Sequence, residues 1–251
     1  MAITGKYLYC FIKEKDHVIL GSSSVAEPIM PVYTLPYKGV SAVVSDADIV
    51  NFEPSRKNIL AHQRVMNMIT ASYSILPVAF GTVSFDKVEI EHMLADNCDR
   101  FLKMLDYFKN KLELGLRVIW NKDYFIKDIE NDEIIQLKQK IIGRDEDEVL
   151  VDKINLGKLV EASMLEKKDR YIQDIYEPLK KAAIECKLKD GIPMKTVFSA
   201  YFLIEKAQSD EFDKKVEDIY RPYDGRLDFC YTGPWPPYNF VDTGIVLKTN
   251  N

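Results

Sequence analysis

The sequence predicts an α+β protein of two lobes, and three observations carry that expectation. Short apolar, β-branched runs alternate with segments whose apolar residues recur every three or four positions. The order of strands and helices over the first 120 residues returns afterwards in a stretched form, and no long parallel strand–helix series develops. The chain, at 251 residues, is also long enough to bury two cores. Strands at the ends of helices in this order suggest a ferredoxin-like split βαβ unit in each lobe. The expected domains are residues 1–112, ferredoxin-like, and 113–251, an elaborated ferredoxin-like domain with long inserted helices and a proline-aromatic C-terminal arm.

Residues 7–12 and 39–44 are almost wholly apolar and read as buried strands. Gly21, Ser22 to Ser24, Pro28, Pro31 and Pro36 mark the stretch between them as a loop. From 54 to 73 the period becomes helical, with Ile59, His62, Met66, Ile69 and Tyr73 on one side. Residues 75–80 form a strand closed by Gly81. The next helix begins near Phe85 and carries the clearest stripe: Ile90, Leu94, Cys98, Phe101, Leu105, Phe108 and Leu112. A strand over 114–120 follows. Residues 122–142 read as one helix, 143–148 as a charged break, and 152–189 as a long helix with Leu165, Ile172, Tyr176, Leu179, Ala183 and Cys186 on one face, kinked at Pro178. Residues 196–204 are the strongest strand; Ser209 should cap a helix bearing Phe212, Val216 and Ile219. The last strand covers 226–231.

The segment after that strand, Tyr231-Thr232-Gly233-Pro234-Trp235-Pro236-Pro237-Tyr238-Asn239-Phe240-Val241, has three prolines and four aromatics around one glycine. The prolines remove three backbone donors and fix φ, so a stiff, extended arm is expected, neither helix nor central strand. Its large rings will not stay in water, so it should dock on the N-terminal sheet of its own chain. Pro234 and Pro237 also form a PxxP, the alternative being an external partner of SH3 type.

Composition narrows function. A formal charge of −5 argues against general nucleic-acid or anionic-membrane binding, and no apolar run reaches the ~20 residues of a membrane span. Cys10, Cys98, Cys186 and Cys230 are isolated from one another, and a strand pattern begins at Lys6 and Tyr7 where a secretory apolar region would lie; a reducing cytoplasm and four buried thiols are expected. His62 reads as a core histidine bonded through one ring nitrogen; His17 lies in a turn and His92 on a helix flank, and no metal spacing connects them. Asp132, Glu133 and the acids of 145–148 lack fixed ligand spacing and read as solvated. There is no GxSxG, P-loop or GxGxxG, so neither catalysis nor a cofactor is expected. Alternating Tyr7, Tyr9 and Phe11 would suit RNA stacking on an open sheet, but the acidic balance weighs against it.

Two segments resemble a known family. The run from Thr232 to Val241, with Gly233, Pro234, Trp235, Pro236, Pro237, Tyr238 and Phe240, is similar to the C-terminal signature of the GvpF/GvpL gas vesicle proteins. Residues 76–83, with Pro77, Phe80 and Gly81 following the His62 helix, resemble its N-terminal signature. Between Val78 and Phe80, where the family pattern has a basic residue, this chain has Ala79, so no charge is carried there. The resemblance spans residues 7–241 and implies a non-enzymatic accessory protein, located in the cytoplasm and at the gas vesicle. Its implied partners are the hydrophobic shell protein and other gas vesicle accessory proteins, with no nucleic acid or membrane, during nucleation and assembly; a minor structural role also fits. The residues leave open an enzyme or small-ligand protein using a ferredoxin-like pocket around His62.

Overall fold

A computed structural model describes residues 4–25, 28–48, 52–146, 148–191 and 193–242. The chain is an α+β protein whose contacts group into two units: residues 1–113 together with the segment beginning at Pro234, and residues 114–233. The sequence division at 112/113 left that last segment with the second domain.

The first unit is built on β1 (Thr4–Ile12), β2 (Ile19–Ser23), β3 (Met30–Tyr37), β4 (Val40–Asp48), α1 (Arg56–Thr70), β5 (Ile75–Pro77), β6 (Val83–Ser84) and α2 (Lys87–Tyr107). Its sheet runs β2-β3-β4-β1-β5, with β6 also on β1, and the described ladders are antiparallel. The presumed loop between the first two strands therefore contains the β2–β3 pair. The proline and glycine punctuation concealed it, because Pro31 and Pro36 sit near the two ends of β3. The signal available was Lys38-Gly39: with φ of 45° and 93° they form a two-residue turn that joins Tyr37 to its partner Val40.

α1 begins at Ser55, whose hydroxyl accepts the Asn58 N–H at 3.3 Å. Its inward face is Ala61, His62, Val65, Met66 and Ile69, packed with Tyr7 and Tyr9; Ile59, expected there, is exposed. Asp86 caps α2 through the Glu89 N–H, and the Glu89 carboxylate returns to the Phe85 N–H and Ser84 hydroxyl. The α2 stripe is buried as expected, with Phe101 4.6 Å from Phe11. Tyr7 and Tyr9 thus face α1 and Phe11 faces α2, a switch of side made by the bulge between Leu8 and Cys10.

The second unit contains most of β7 (Lys111–Trp120), then α3 (Phe125–Ile129), α4 (Asp132–Ile141), α5 (Leu150–Tyr171), α6 (Glu177–Lys180), β8 (Glu185–Leu188), β9 (Thr196–Glu205), α7 (Ser209–Tyr220) and β10 (Leu227–Trp235), with sheet order β10-β7-β9-β8. The helix expected over 122–142 divides because Asn131 accepts the Ile134 N–H and starts α4 anew. The long helix also ends early. Pro178 has no N–H to donate, and just before it the chain widens into a π-turn over Ile172–Tyr176, where the Glu177 N–H reaches the Ile172 carbonyl. Cys186 then lies on a strand, and Leu165 is exposed. Ser209 is already helical, following a 3₁₀ turn, and makes no capping bond.

Candidate functional site

The two signature segments are brought to the same strand, β1, of the first unit. β5 pairs Pro77 with Cys10, and the Val78 N–H donates to the Tyr9 carbonyl at 3.2 Å. The expected strand stops at Pro77. Ala79 then opens a turn in which its carbonyl accepts from both the backbone and hydroxyl of Thr82, and its exposed methyl leaves the core unaffected by the missing basic residue. Gly81 has φ of 82°, a left-handed conformation that a side chain would strain. Its N–H donates to the Tyr7 hydroxyl at 3.0 Å.

That bond ties the turn to the core. The Tyr7 hydroxyl, accepting from Gly81, also shares a hydrogen bond with His62 Nδ1, 3.0 Å away, so one ring nitrogen of His62 is engaged. The imidazole stacks on Tyr9 with ring centres 5.5 Å apart and meets Phe80 edge-on at 5.6 Å. Burial lowers its pKa to about 4 and raises that of Tyr7 well above the usual phenol range. His62 is accordingly a core histidine held through one nitrogen.

The second signature starts inside a strand: β10 continues through Gly233 and Pro234 to Trp235. β10 is at the edge of its sheet, where a proline deletes no needed donor, and Gly233 takes φ of 126°. Beyond it the chain is not extended as expected. The Phe240 and Val241 N–H groups both return to the Pro237 carbonyl, closing a compact turn. Pro237 and Phe240 are buried and Trp235 and Pro236 half-buried, whereas Tyr238 leaves 38% of its surface exposed. Its phenol end is nonetheless sheltered: burial first, then the neighbouring Cys10 and Glu113, push its pKa far up.

Glu113 anchors the turn, and nothing in the sequence pattern marked it. Although only 2% exposed, its carboxylate accepts the Asn239 backbone N–H at 2.7 Å and the Asn239 side-chain amide at 2.5 Å. Arg100 of α2 adds a 3.5 Å bond to the Asp242 carbonyl. A short polar clamp thus holds the aromatic turn, with Tyr238 directed toward Tyr7 and Cys10 of β1.

The other sequence candidates stay apart. His17 Nδ1 donates to the Thr34 carbonyl at 2.7 Å and His92 is exposed on α2. Asp132 and Glu133 occupy the first turn of α4, and Glu146 and Glu148 pair with Lys153 and Arg144; Asp147 is outside the described residues. Cys10 and Cys98 are buried, while Cys186 and Cys230 are only half-buried, correcting the expectation of four core thiols. A missed buried acid is Asp128 of α3, which accepts from Trp120 Nε1 at 3.0 Å and the Tyr171 hydroxyl at 2.5 Å, with Lys167 and Arg226 each 3.6 Å away. Among the described residues no three His, Cys, Asp or Glu side chains converge as metal ligands, and no helix is long and apolar enough to cross a membrane.

A phenol, an imidazole and a buried carboxylate, each engaged by the chain's own groups, define a packing scaffold formed by two distant sequence segments. The family described as gas vesicle synthesis protein GvpL/GvpF matches residues 5–242, and the chain belongs to that family. It is 25% identical to gas vesicle protein F1 of Halobacterium salinarum over 95% of this chain and 93% of that one. Identity to gas vesicle protein F of a Nostoc species is 26%, covering 84% and 87%. The crystal structure of the gas vesicle protein GvpF from an Anabaena species superimposes with a TM-score of 0.80 at 22% identity, over 95% of this chain and 98% of that one, establishing the shared fold.

Proposed function

We propose that this protein is an accessory factor of gas vesicle formation that binds the hydrophobic shell protein directly during nucleation and assembly, and that it acts without catalysis. The observation that supports this most is the family match along residues 5–242, which includes both signature segments. Physical chemistry supplies the need: a shell subunit with an uncovered apolar face aggregates unless a partner shields it before assembly. Other accessory proteins of the vesicle are further partners on this reading, and the cytoplasm and vesicle surface its locations. Pro77, Phe80 and Gly81, with residues 233–240, act as the structural signature, holding β1 and the C-terminal turn together; the two contact-defined units serve as the domains.

His62 does not favour the enzyme alternative, because the ring is buried and its Nδ1 is already engaged by Tyr7. The test is a pull-down of the purified chain with purified shell protein, paired with vesicle counts in a deletion strain complemented by wild type or His62→Gln. Direct binding, loss of vesicles on deletion and rescue by His62→Gln are expected. Normal vesicles in the deletion strain together with no binding would overturn the proposal.

A further inference from the structure

On the α2 side of the first sheet lies a cleft of about 460 Å³ lined by Lys6, His17, Tyr33, Leu35, Pro36 and Lys87. Its origin is geometric. One helix, about 10 Å across, covers roughly two strands spaced ~4.8 Å apart. α2 lies chiefly over β4, β3, β1 and β5, while α1 packs from the other side on β1 and β2. The outer part of β3 and the terminal strand β2 therefore form an open shelf beside the start of α2.

The groups that line the shelf itself are cationic or neutral, their carboxylate partners standing behind or beside them. Among the described residues lining it there is no carboxylate, but there are two ammonium groups and an imidazole, in a chain whose formal charge is −5. Lys6 is held from behind by Asp46, whose carboxylate also accepts the Tyr33 hydroxyl at 2.9 Å, and this fixes the ammonium beside the Tyr33 ring. Among the described residues Lys87 pairs only with Glu91, one turn along the same exposed helix face, a contact that an incoming anion can replace at little cost. Because the His17 proton is committed to the Thr34 carbonyl through Nδ1, that ring is held in a fixed orientation beside Tyr33.

Exposed apolar side chains lie close to these residues in sequence or strand register. Ile19 is 70% exposed and directly opposite Tyr33 in the β2–β3 register, so both project from the same face. Phe85 and Val88, flanking Lys87 in sequence, are 42% and 53% exposed. We infer that this shelf docks a protein segment that presents a carboxylate between apolar side chains. The acid meets Lys6 and Lys87, while its apolar neighbours cover Ile19, Tyr33, Phe85 and Val88. Charge complementarity selects the acid, and the outer edge of β2, which pairs with no further strand among the described residues, suits an extended backbone. The inference does not rest on the shell-protein reading, since any partner with this chemistry would satisfy it, and either can fail alone.

The experiment uses the full chain and two blocked, fluorescein-labelled peptides, identical apart from carrying two Glu or two Lys among Leu residues, followed by anisotropy. The Glu peptide should bind at least about tenfold more tightly than the Lys peptide, and weaken about tenfold on Lys87→Glu and on raising salt from 50 to 300 mM. Lys214→Glu, an exposed cation on α7, should leave binding unchanged. Equal affinity of the two peptides, or equal losses from Lys87→Glu and Lys214→Glu, would overturn the inference. So would inorganic phosphate shifting the NMR signals of Lys6 and Lys87 while neither peptide binds, which would make the cleft a small-anion site.

Discussion

Replacing Asn239 with alanine tests the clamp on the aromatic turn. The substitution removes one of the two bonds that Asn239 gives Glu113, the 2.5 Å amide contact, and loosens the 2.7 Å backbone contact by freeing the turn. A hydrogen bond to an ionised group is worth about 1.5 to 3 kcal/mol, and an almost fully buried carboxylate left short of donors adds a desolvation penalty. The expected loss is therefore about 3 kcal/mol, or about 6 to 12 °C in Tm for a chain of this size. Scanning calorimetry measures it, with Trp235 fluorescence reporting the turn locally. In a Glu113→Leu background the buried charge is gone, and Asn239→Ala should then cost under about 1 kcal/mol. A Tm shift under about 1 °C for Asn239→Ala in the otherwise unchanged protein would refute the argument, because it would mean that Glu113 does not depend on the turn.

Three further outcomes are expected. His62 has a folded pKa of about 4 against an ordinary value of 6.5, so the unfolded state binds the extra proton between them; stability is full above about pH 6.5 and falls by about 3 kcal/mol toward pH 4, and urea titrations of His62→Gln should show a flatter slope in that window. Asp128→Ala strands the Trp120 N–H, the Tyr171 hydroxyl and two cations, costing about 3 to 5 kcal/mol, with a shifted Trp120 emission; Asp128→Asn should cost less. At Gly115 a new Cβ would stand 2.8 Å from Thr232 Oγ1, so Gly115→Ala should lower stability by about 1 to 3 kcal/mol in thermal melts, and Thr232→Ala should restore part of it.

What could be read from the residues follows the range of the interactions involved. Periodicity located α2 because its stripe meets one continuous surface, and the same logic found β1 and β9. It failed where local groups redirected the chain: Asn131 divides a helix, the long helix stops at Lys180 instead of running on to 189, and Lys38-Gly39 makes a hairpin from a stretch that looked like loop. The signature segments were visible as unusual runs, and so was their need to dock. Their anchor was not. Glu113 follows a helix as one more acid, and only its distance of 126 positions from Asn239, closed by the fold, reveals its task. Asp128 is hidden in the same way, since its four partners are spread from Trp120 to Arg226.

The first unit is interrupted: residues 114–233 are synthesised between its main body and the turn that Glu113 requires. Joining ends separated by about 120 residues costs roughly 4 kcal/mol of chain entropy if the intervening chain is loose, and far less once it has folded and brought its own termini close. Until residues 234–242 are in place, Glu113 lacks the two bonds that Asn239 gives it. Completion comes only as residues 234–242 emerge. A chain that stops short of Asn239 leaves the first unit without its closing segment, and is expected to be cut by proteases faster than the finished protein.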